Sequence, residues 1–204
     1  MLGDGCDECY DRWMQVEVWT NLPAVEPSAV RRLRRQEYDQ LVDLGVFDRE
    51  RVELIRGVIV RMSPQGAPHA GPIQRLTRML GAALLGRADV RVQLPLIAPD
   101  ESEPEPDLAV VDVGDYDEDH PQSAHLVIEV ARTSQAYDRE TKGPLYAAMG
   151  APEYWLVDVV ARTIEVHRQP GPEGYTAVET LRAGAVIRLV AFPDVAIGVS
   201  SVLP

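Results

Sequence analysis

Asp107, Glu129 and Lys142 are the residues of this chain whose types and spacing best suit chemistry. Lys142 is the single lysine, set against nineteen arginines. Arginine fills most solvated and salt-bridging roles, but it does not easily supply a compact ammonium that can share a proton at a reacting centre. Taken alone, a lone lysine has a simpler account, compositional drift towards arginine. Its neighbours change the weighing. Pro106-Asp107 heads an apolar run, and Glu129 sits inside Leu126-Val127-Ile128-Glu129-Val130-Ala131. Two carboxylates on strand-like segments followed by a lysine form the inventory for a divalent metal and a phosphoester.

Each residue also has an ordinary reading. Glu129 lies in a run expected of a strand buried on both faces, where an ionised, unpaired carboxylate is costly. A metal ion would offset that cost, and so would a buried arginine or the hydroxyl of Thr133. Asp107 follows Pro104-Glu105-Pro106, which holds the approach to the strand extended; a lone aspartate there is commonly a turn-former or cap. Asp138, Lys142 and Tyr146 fall four apart, on one helical face. That spacing allows a surface Asp138–Lys142 pair, or a lysine near the metal that orients water and neutralises charge on phosphorus. Glu53 points opposite to Val52 and Leu54, so a solvated strand face competes with a place in the site. His69, expected just before the second helix, can serve the helix start or reach a phosphate. His120, His125 and His167 show no mutual ligand spacing.

These side chains must be positioned by a mixed set of elements. Val30 to Leu44 reads as a helix stopped by Gly45, with an apolar stripe of Val30, Leu33, Tyr38, Leu41, Val42 and Leu44. Arg51 to Met62 reads as a hairpin about Arg56-Gly57, and Ala70 to Leu85 as a second helix. Strands are expected over Val90 to Ala98, Asp107 to Val113 and His125 to Ala131. Ser134 to Met149 reads as a loop passing into a helix near Gly143, where Pro144 suits the first turn and Gly150 the C-terminal cap. Strands over Glu153–Val159, Thr163–Arg168, Tyr175–Arg182 and Val186–Val190 close the chain. The class is α/β or α+β, a mixed central sheet flanked by helices, with an N-terminal helix and extra strands at the C-terminus.

Composition narrows the function. At 204 residues and 46% hydrophobic, the chain can bury one substantial core. Residues 1–20 read as a flexible or loosely docked extension and 21–204 as a single domain. No apolar run suits a membrane span, and the N-terminal residues lack the pattern of a secretory signal; a cytoplasmic location is expected. Cys6 and Cys9 form one CxxC without the further ligands a zinc site needs. The net charge of −12 argues against a generally basic DNA binder, although nine of the thirty-two acidic residues cluster in 100–105 and 112–119. There is no Gly-rich phosphate loop, no nucleophile elbow and no HExxH spacing.

At these residues the chain resembles the PD-(D/E)XK nuclease superfamily. More closely, it is similar to its small bacterial "putative restriction endonuclease" branch, carried as a domain of unknown function. The resemblance rests on Glu53-Leu54-Ile55-Arg56-Gly57 with Ser63-Pro64, Pro68-His69, Pro106-Asp107-Leu108 and Val127-Ile128-Glu129-Val130. It continues through Ser134, Asp138, Lys142-Gly143-Pro144-Leu145-Tyr146-Ala147, Gly150 and Glu153-Tyr154-Trp155-Leu156-Val157-Asp158. It spans about residues 30–190, and the ordered set ending in Glu-Tyr-Trp is its most specific part. It implies a restriction-endonuclease-like core, Mg²⁺-dependent phosphodiester cleavage (Mn²⁺ substituting), DNA as substrate and a homodimer. Asp107 and Glu129 would hold the metal, Lys142 would be the catalytic lysine, and Glu53 a further acidic residue of the site. Ala131 stands where the superfamily usually has its lysine, so Lys142 must reach back from the next helix. A non-catalytic nuclease-fold protein that binds nucleic acid or a protein partner is the alternative. A phosphoesterase of small nucleotides would also reconcile the site with the net charge.

Overall fold

The computed structural model describes residues 30–99 and 101–203, and the expectations for residues 1–20, Cys6 and Cys9 included, lie outside the described residues. Leu33–Pro204 cluster as one compact unit. Its first helix, α1 (Arg35–Asp43), starts later than the apolar stripe predicts. The Glu37 carboxylate accepts the Arg34 N–H at 2.9 Å, which fixes the first turn, and Gly45 ends the helix with φ +72°. Only Tyr38 of the predicted stripe is buried; Val42 and Leu44 are 47% and 77% exposed. Leu33 precedes the helix because its N–H is taken by the Gly57 carbonyl.

Tyr38 packs α1 on a hairpin formed by β1 (Val52–Ile55) and β2 (Val58–Arg61), stacking on Phe47 and donating its hydroxyl to the Val52 carbonyl. The next helix, α2 (Ala67–Ala83), begins three residues before its apolar period starts, so His69 lies within its first turn rather than ahead of it. Pro68 is tolerated there because first-turn N–H groups have no partner inside the helix. Ile73, Leu76 and Leu80 recur at helical spacing and are buried.

The central sheet has six strands in spatial order β3 (Asp89–Val92), β4 (Leu108–Val111), β5 (Leu126–Ala131), β6 (Glu153–Asp158), β7 (Thr163–Gly171) and β8 (Gly174–Leu181). Every pairing is antiparallel except β5 with β6. β3 stops far short of Ala98 because Gln93 turns to φ +53°, and residues 94–98 run on outside the sheet. All six residues of β5 are buried, as its unbroken apolar run predicts. Leu126, Ile128 and Val130 face one core with Leu108, Val110, Trp155 and the α2 leucines; Val127 and Ala131 face a second with Ala109, Tyr146, Tyr154 and Leu156.

A parallel pair needs a crossover. Here it is a short turn of helix, α3 (Gln135–Tyr137), then one π-helical turn over Asp138–Lys142, then α4 (Gly143–Ala148). A Cβ on residue 143 would meet both the Asp138 carbonyl and the Tyr154 ring at 3.4 Å, so glycine allows the crossover to lie close on the sheet.

Beyond β8 the chain adds a second hairpin, β9 (Val186–Arg188) with β10 (Ala196–Gly198), and a last turn, α5 (Val199–Val202). Glu153, fully buried at the start of β6, ties this part down. It accepts Trp155 Nε1–H, Arg168 and the Val190 N–H. The Glu-Tyr-Trp run is thus a structural latch: acceptor, cross-sheet tyrosine and core indole.

The first hairpin joins the rest through a bridge between Leu54 and Glu103. Glu103 is buried, its Oε2 lacks a hydrogen bond, and burial followed by the nearby Asp39 pushes its pKa up to about 7. Its folded pKa thus exceeds the unfolded one, and folding takes up a proton between the two. The associated stability is complete below the unfolded carboxylate pKa of about 4.3 and is lost as pH rises through about 7. Glu103→Gln should therefore be increasingly more stable than wild type as pH rises from about 5 to about 8. Urea unfolding across that range checks this, and a pH-independent difference between the two proteins would contradict it.

Candidate active site

Three remote segments converge beside the second core. β1 delivers Glu53, the start of β4 and the middle of β5 deliver Asp107 and Glu129, and the crossover delivers Asp138, Lys142 and Tyr146. Glu53 is 3% exposed, so the solvated-face reading of this residue does not hold. The segment around 101–105 covers that side of the hairpin, and the Glu105 N–H donates to Glu53 Oε2 at 3.2 Å.

Asp107 and Glu129 share a face. Leu108 pairs with Ile128, which sets residue 107 opposite 129 at the next register position, on the parity of Ala109 and Val127. Asp107 is held by four donors. Val130 N–H gives 2.9 Å to Oδ2, Gln65 and Gln93 each give 3.3 Å to Oδ1, and His69 Nε2 stands 3.0 and 3.1 Å from the two oxygens. His69 therefore serves Asp107 directly. Gln65 and Gln93 escaped the sequence reading because nothing in their local pattern marks them; each reaches Asp107 only through the fold.

Lys142 is 4% exposed and its ammonium bridges two carboxylates, Glu53 Oε2 at 2.9 Å and Glu129 Oε1 at 3.0 Å. It is thus neither a surface residue nor the simple helical partner of Asp138. Tyr146 donates to the same Glu129 oxygen at 2.6 Å, so Glu129 is satisfied by a lysine and a tyrosine instead of an arginine or Thr133. Asp138 accepts Ser134 Oγ–H at 2.6 Å, and its main-chain carbonyl accepts the Tyr154 hydroxyl at 3.2 Å. The π-helical turn carries Asp138 and Lys142 together into the interior, both buried.

The electrostatics follow from counting. Four carboxylates (Glu53, Asp107, Glu129 and Asp138) act on one another around a single ammonium. Burial pushes Glu129 up to about 8 against the pull of Lys142, with Asp138, Asp107 and Glu53 adding to the rise. Burial likewise lifts Asp138 to about 6. Burial opposes the Lys142 charge, but Glu129 and then Glu53 outweigh it and hold the ammonium firmly protonated. All three shifts favour the proton-bound form. Among the described residues no three His, Cys, Asp or Glu side chains converge to hold a metal ion. Magnesium commonly needs only one or two carboxylates beside water and phosphate, so the surplus of hard oxygen donors fits such a cation.

A groove of about 760 Å³ adjoins this cluster, lined by Arg49, Arg51, Arg61 and Gln65 among others. Gln65 belongs to both, since it also bonds Asp107. Arg61 pairs with Glu50 at 2.8 Å and Arg51 with Glu105.

A mixed sheet whose parallel crossover carries a buried lysine to one of two facing strand carboxylates defines a restriction-endonuclease-like α+β protein. The family model described as "Uma2: Putative restriction endonuclease" matches residues 35–200, and the chain belongs to that family. It is also similar in structure to a protein described as "a putative nuclease belonging to DUF820" from Anabaena variabilis. The TM-score is 0.67 at 16% identity, over 83% of this chain and 97% of that one. No curated protein matches the chain. No helix among the described residues is long and apolar enough to cross a membrane.

Removing one partner from a buried ion pair leaves an uncompensated charge, at a cost of about 3–5 kcal/mol. Lys142→Ala is expected to destabilise the protein by about that amount in urea unfolding. Replacing Lys142 by Met together with Glu53→Gln and Glu129→Gln should cost markedly less, because the two carboxylates that the ammonium bridges are neutralised along with it. Equal losses in the two variants would show that the lysine contributes only packing.

Proposed function

We propose that this protein is a metal-dependent endonuclease that hydrolyses phosphodiester bonds in DNA. The observation that carries the reading is the placement of Asp107 and Glu129 on one face of the sheet with the Lys142 ammonium 3.0 Å from Glu129. Mg²⁺, with Mn²⁺ as substitute, would be held by Asp107 and Glu129 and would supply Lewis-acid polarisation of a phosphoryl oxygen. Lys142 offers a positive charge beside the carboxylates, where it can orient a water molecule and stabilise charge developing on the phosphate. Glu53 keeps that ammonium in place, and His69, Gln65 and Gln93 fix the rotamer of Asp107. Positioning of this kind is worth most in a buried site, where the dipoles need no rearrangement.

A net charge of −12 is awkward for a DNA enzyme. The groove beside Asp107 eases it, because three arginines line it against one glutamate, Glu50. The same net charge favours the second reading, a nuclease-fold protein that binds without cleaving. The two separate on one assay.

Lys142→Arg keeps the positive charge while changing its size, hydration and acidity, and avoids the buried anion that Lys142→Ala would leave. Overpacking should lower its stability by about 1–3 kcal/mol without unfolding it. Wild-type protein is expected to cleave plasmid or linear DNA with Mg²⁺ or Mn²⁺ and not with EDTA. The Lys142→Arg protein should be folded and at least about tenfold slower, equal to about 1.4 kcal/mol of barrier. Cleavage by the arginine variant at the wild-type rate would remove Lys142 from the mechanism. A wild-type protein that binds DNA without cutting any DNA or RNA would favour the non-catalytic reading.

A further inference from the structure

Three tyrosines meet at the same cluster, Tyr137 and Tyr146 from the crossover that carries Lys142 and Tyr154 from β6. Two of them have found acceptors: Tyr146 donates to Glu129 and Tyr154 to the Asp138 carbonyl. The third, Tyr137, has not. Its hydroxyl oxygen is buried and makes no hydrogen bond, while the other polar side chains of the cluster are partnered. Tyr137 ends α3, one residue before Asp138, and its phenol lies within electrostatic reach of Glu53, Lys142, Asp138 and Glu129. Burial, with Glu53 next, pushes its pKa up, so the hydroxyl keeps its proton and remains a donor.

A buried donor left without an acceptor loses its hydration for nothing, and folded proteins seldom keep one unless it has another use. Around Tyr137 the missing partner is an acceptor oxygen. Several nearby carboxylate oxygens already receive other donors: Glu129 Oε1 from Lys142 and Tyr146, Glu53 Oε2 from Lys142 and the Glu105 N–H, Asp138 Oδ2 from Ser134. An incoming phosphodiester supplies non-bridging oxygens of the required kind, and a neutral donor meets them without adding to the charge of the cluster. We propose that Tyr137 is a further substrate-contacting residue of this site, its hydroxyl donating a hydrogen bond to a non-bridging oxygen of the bound phosphodiester. This inference rests on the endonuclease reading for its substrate class. It differs from it in naming a neutral donor on the turn before the lysine, where the sequence offers no motif.

Tyr137→Phe tests it, because phenylalanine keeps the ring and removes only the unused hydroxyl. A purely structural tyrosine would lose stability on that change. An unsatisfied donor held for substrate should leave the melting temperature unchanged or raised. At the same time kcat for DNA cleavage with Mg²⁺ should fall at least tenfold. Affinity for a short DNA duplex, measured by fluorescence anisotropy with Ca²⁺ in place of Mg²⁺, should weaken at least threefold. Cleavage and binding equal to wild type would overturn the assignment of Tyr137 while leaving the endonuclease reading intact. If the wild type binds the duplex but never cuts it, weaker binding by Tyr137→Phe still supports the contact, and only the catalytic reading falls. A lowered melting temperature with unchanged binding would assign the hydroxyl a structural role, and absence of any binding by the wild type would overturn both.

Discussion

A buried ammonium placed between two carboxylates is the interaction on which the rest of this structure depends. Lys142 reaches Glu53 on the hairpin and Glu129 on the central sheet, so one side chain fastens two separately hydrogen-bonded pieces of β-structure. Among the described residues, the ladders themselves join the hairpin to the remainder only at the Leu54–Glu103 bridge and a few neighbouring main-chain bonds. Without the cation, the hairpin would lose its attraction to the sheet, and burial would drive Glu129 still further towards its neutral form. Yet one ammonium does not balance Glu53, Asp107, Glu129 and Asp138. Burial first, and then the neighbouring carboxylates, raise the Glu129 and Asp138 pKa values against the pull of Lys142.

Positioning the lysine is a consequence of topology. Because β5 and β6 run parallel, the chain must leave the end of β5 and cross back over one face before β6 can start. The crossover passes the face that carries Glu129, and its π-helical turn widens the spiral so that Asp138 and Lys142 both point inward. Gly143 then lets the chain press against Tyr154, while Tyr146 one turn later closes over Glu129. At the far end, the Tyr154 hydroxyl holds the Asp138 carbonyl, and Glu153 beside it anchors the second hairpin. The run of residues from Ser134 to Trp155 is therefore one mechanical unit, in which every polar side chain named here orients another.

What was legible from the amino-acid order was what depends on short-range pattern. The unbroken apolar run around Glu129 is the buried central strand, and the alternation about Arg56-Gly57 is the first hairpin, each in place. The shared face of Asp107 and Glu129 also follows, since register in an antiparallel pair is set by the same alternation. Long-range choices were not legible. Glu53 alternates as a solvent-facing residue should and is buried only because residues 101–105 fold over it. The stripe from Val30 to Leu44 suggests a longer, better-buried helix, but Leu33 is claimed by the Gly57 carbonyl and Leu44 stays exposed. The donors to Asp107 come from residues 65, 69, 93 and 130, and no local window holds all of them.

Acidity and a nucleic-acid substrate look contradictory only if charge is averaged over the molecule. Coulomb forces between exposed groups fade beyond about 10 Å at ordinary ionic strength, so an incoming strand responds to the surface it touches. Beside Asp107 that surface carries Arg49, Arg51 and Arg61, two of them steadied by Glu50 and Glu105. A guanidinium held by a carboxylate is already oriented, so exchanging that partner for a phosphate costs little ordering. The cluster of buried carboxylates repels a bare phosphate, however, and its one cation is committed to holding two of them. Phosphate can therefore approach only together with additional positive charge, or against neutral donors. Both requirements point the same way. Under the proposed function, the surplus of carboxylates would make a divalent cation and a polyanion depend on one another at this site.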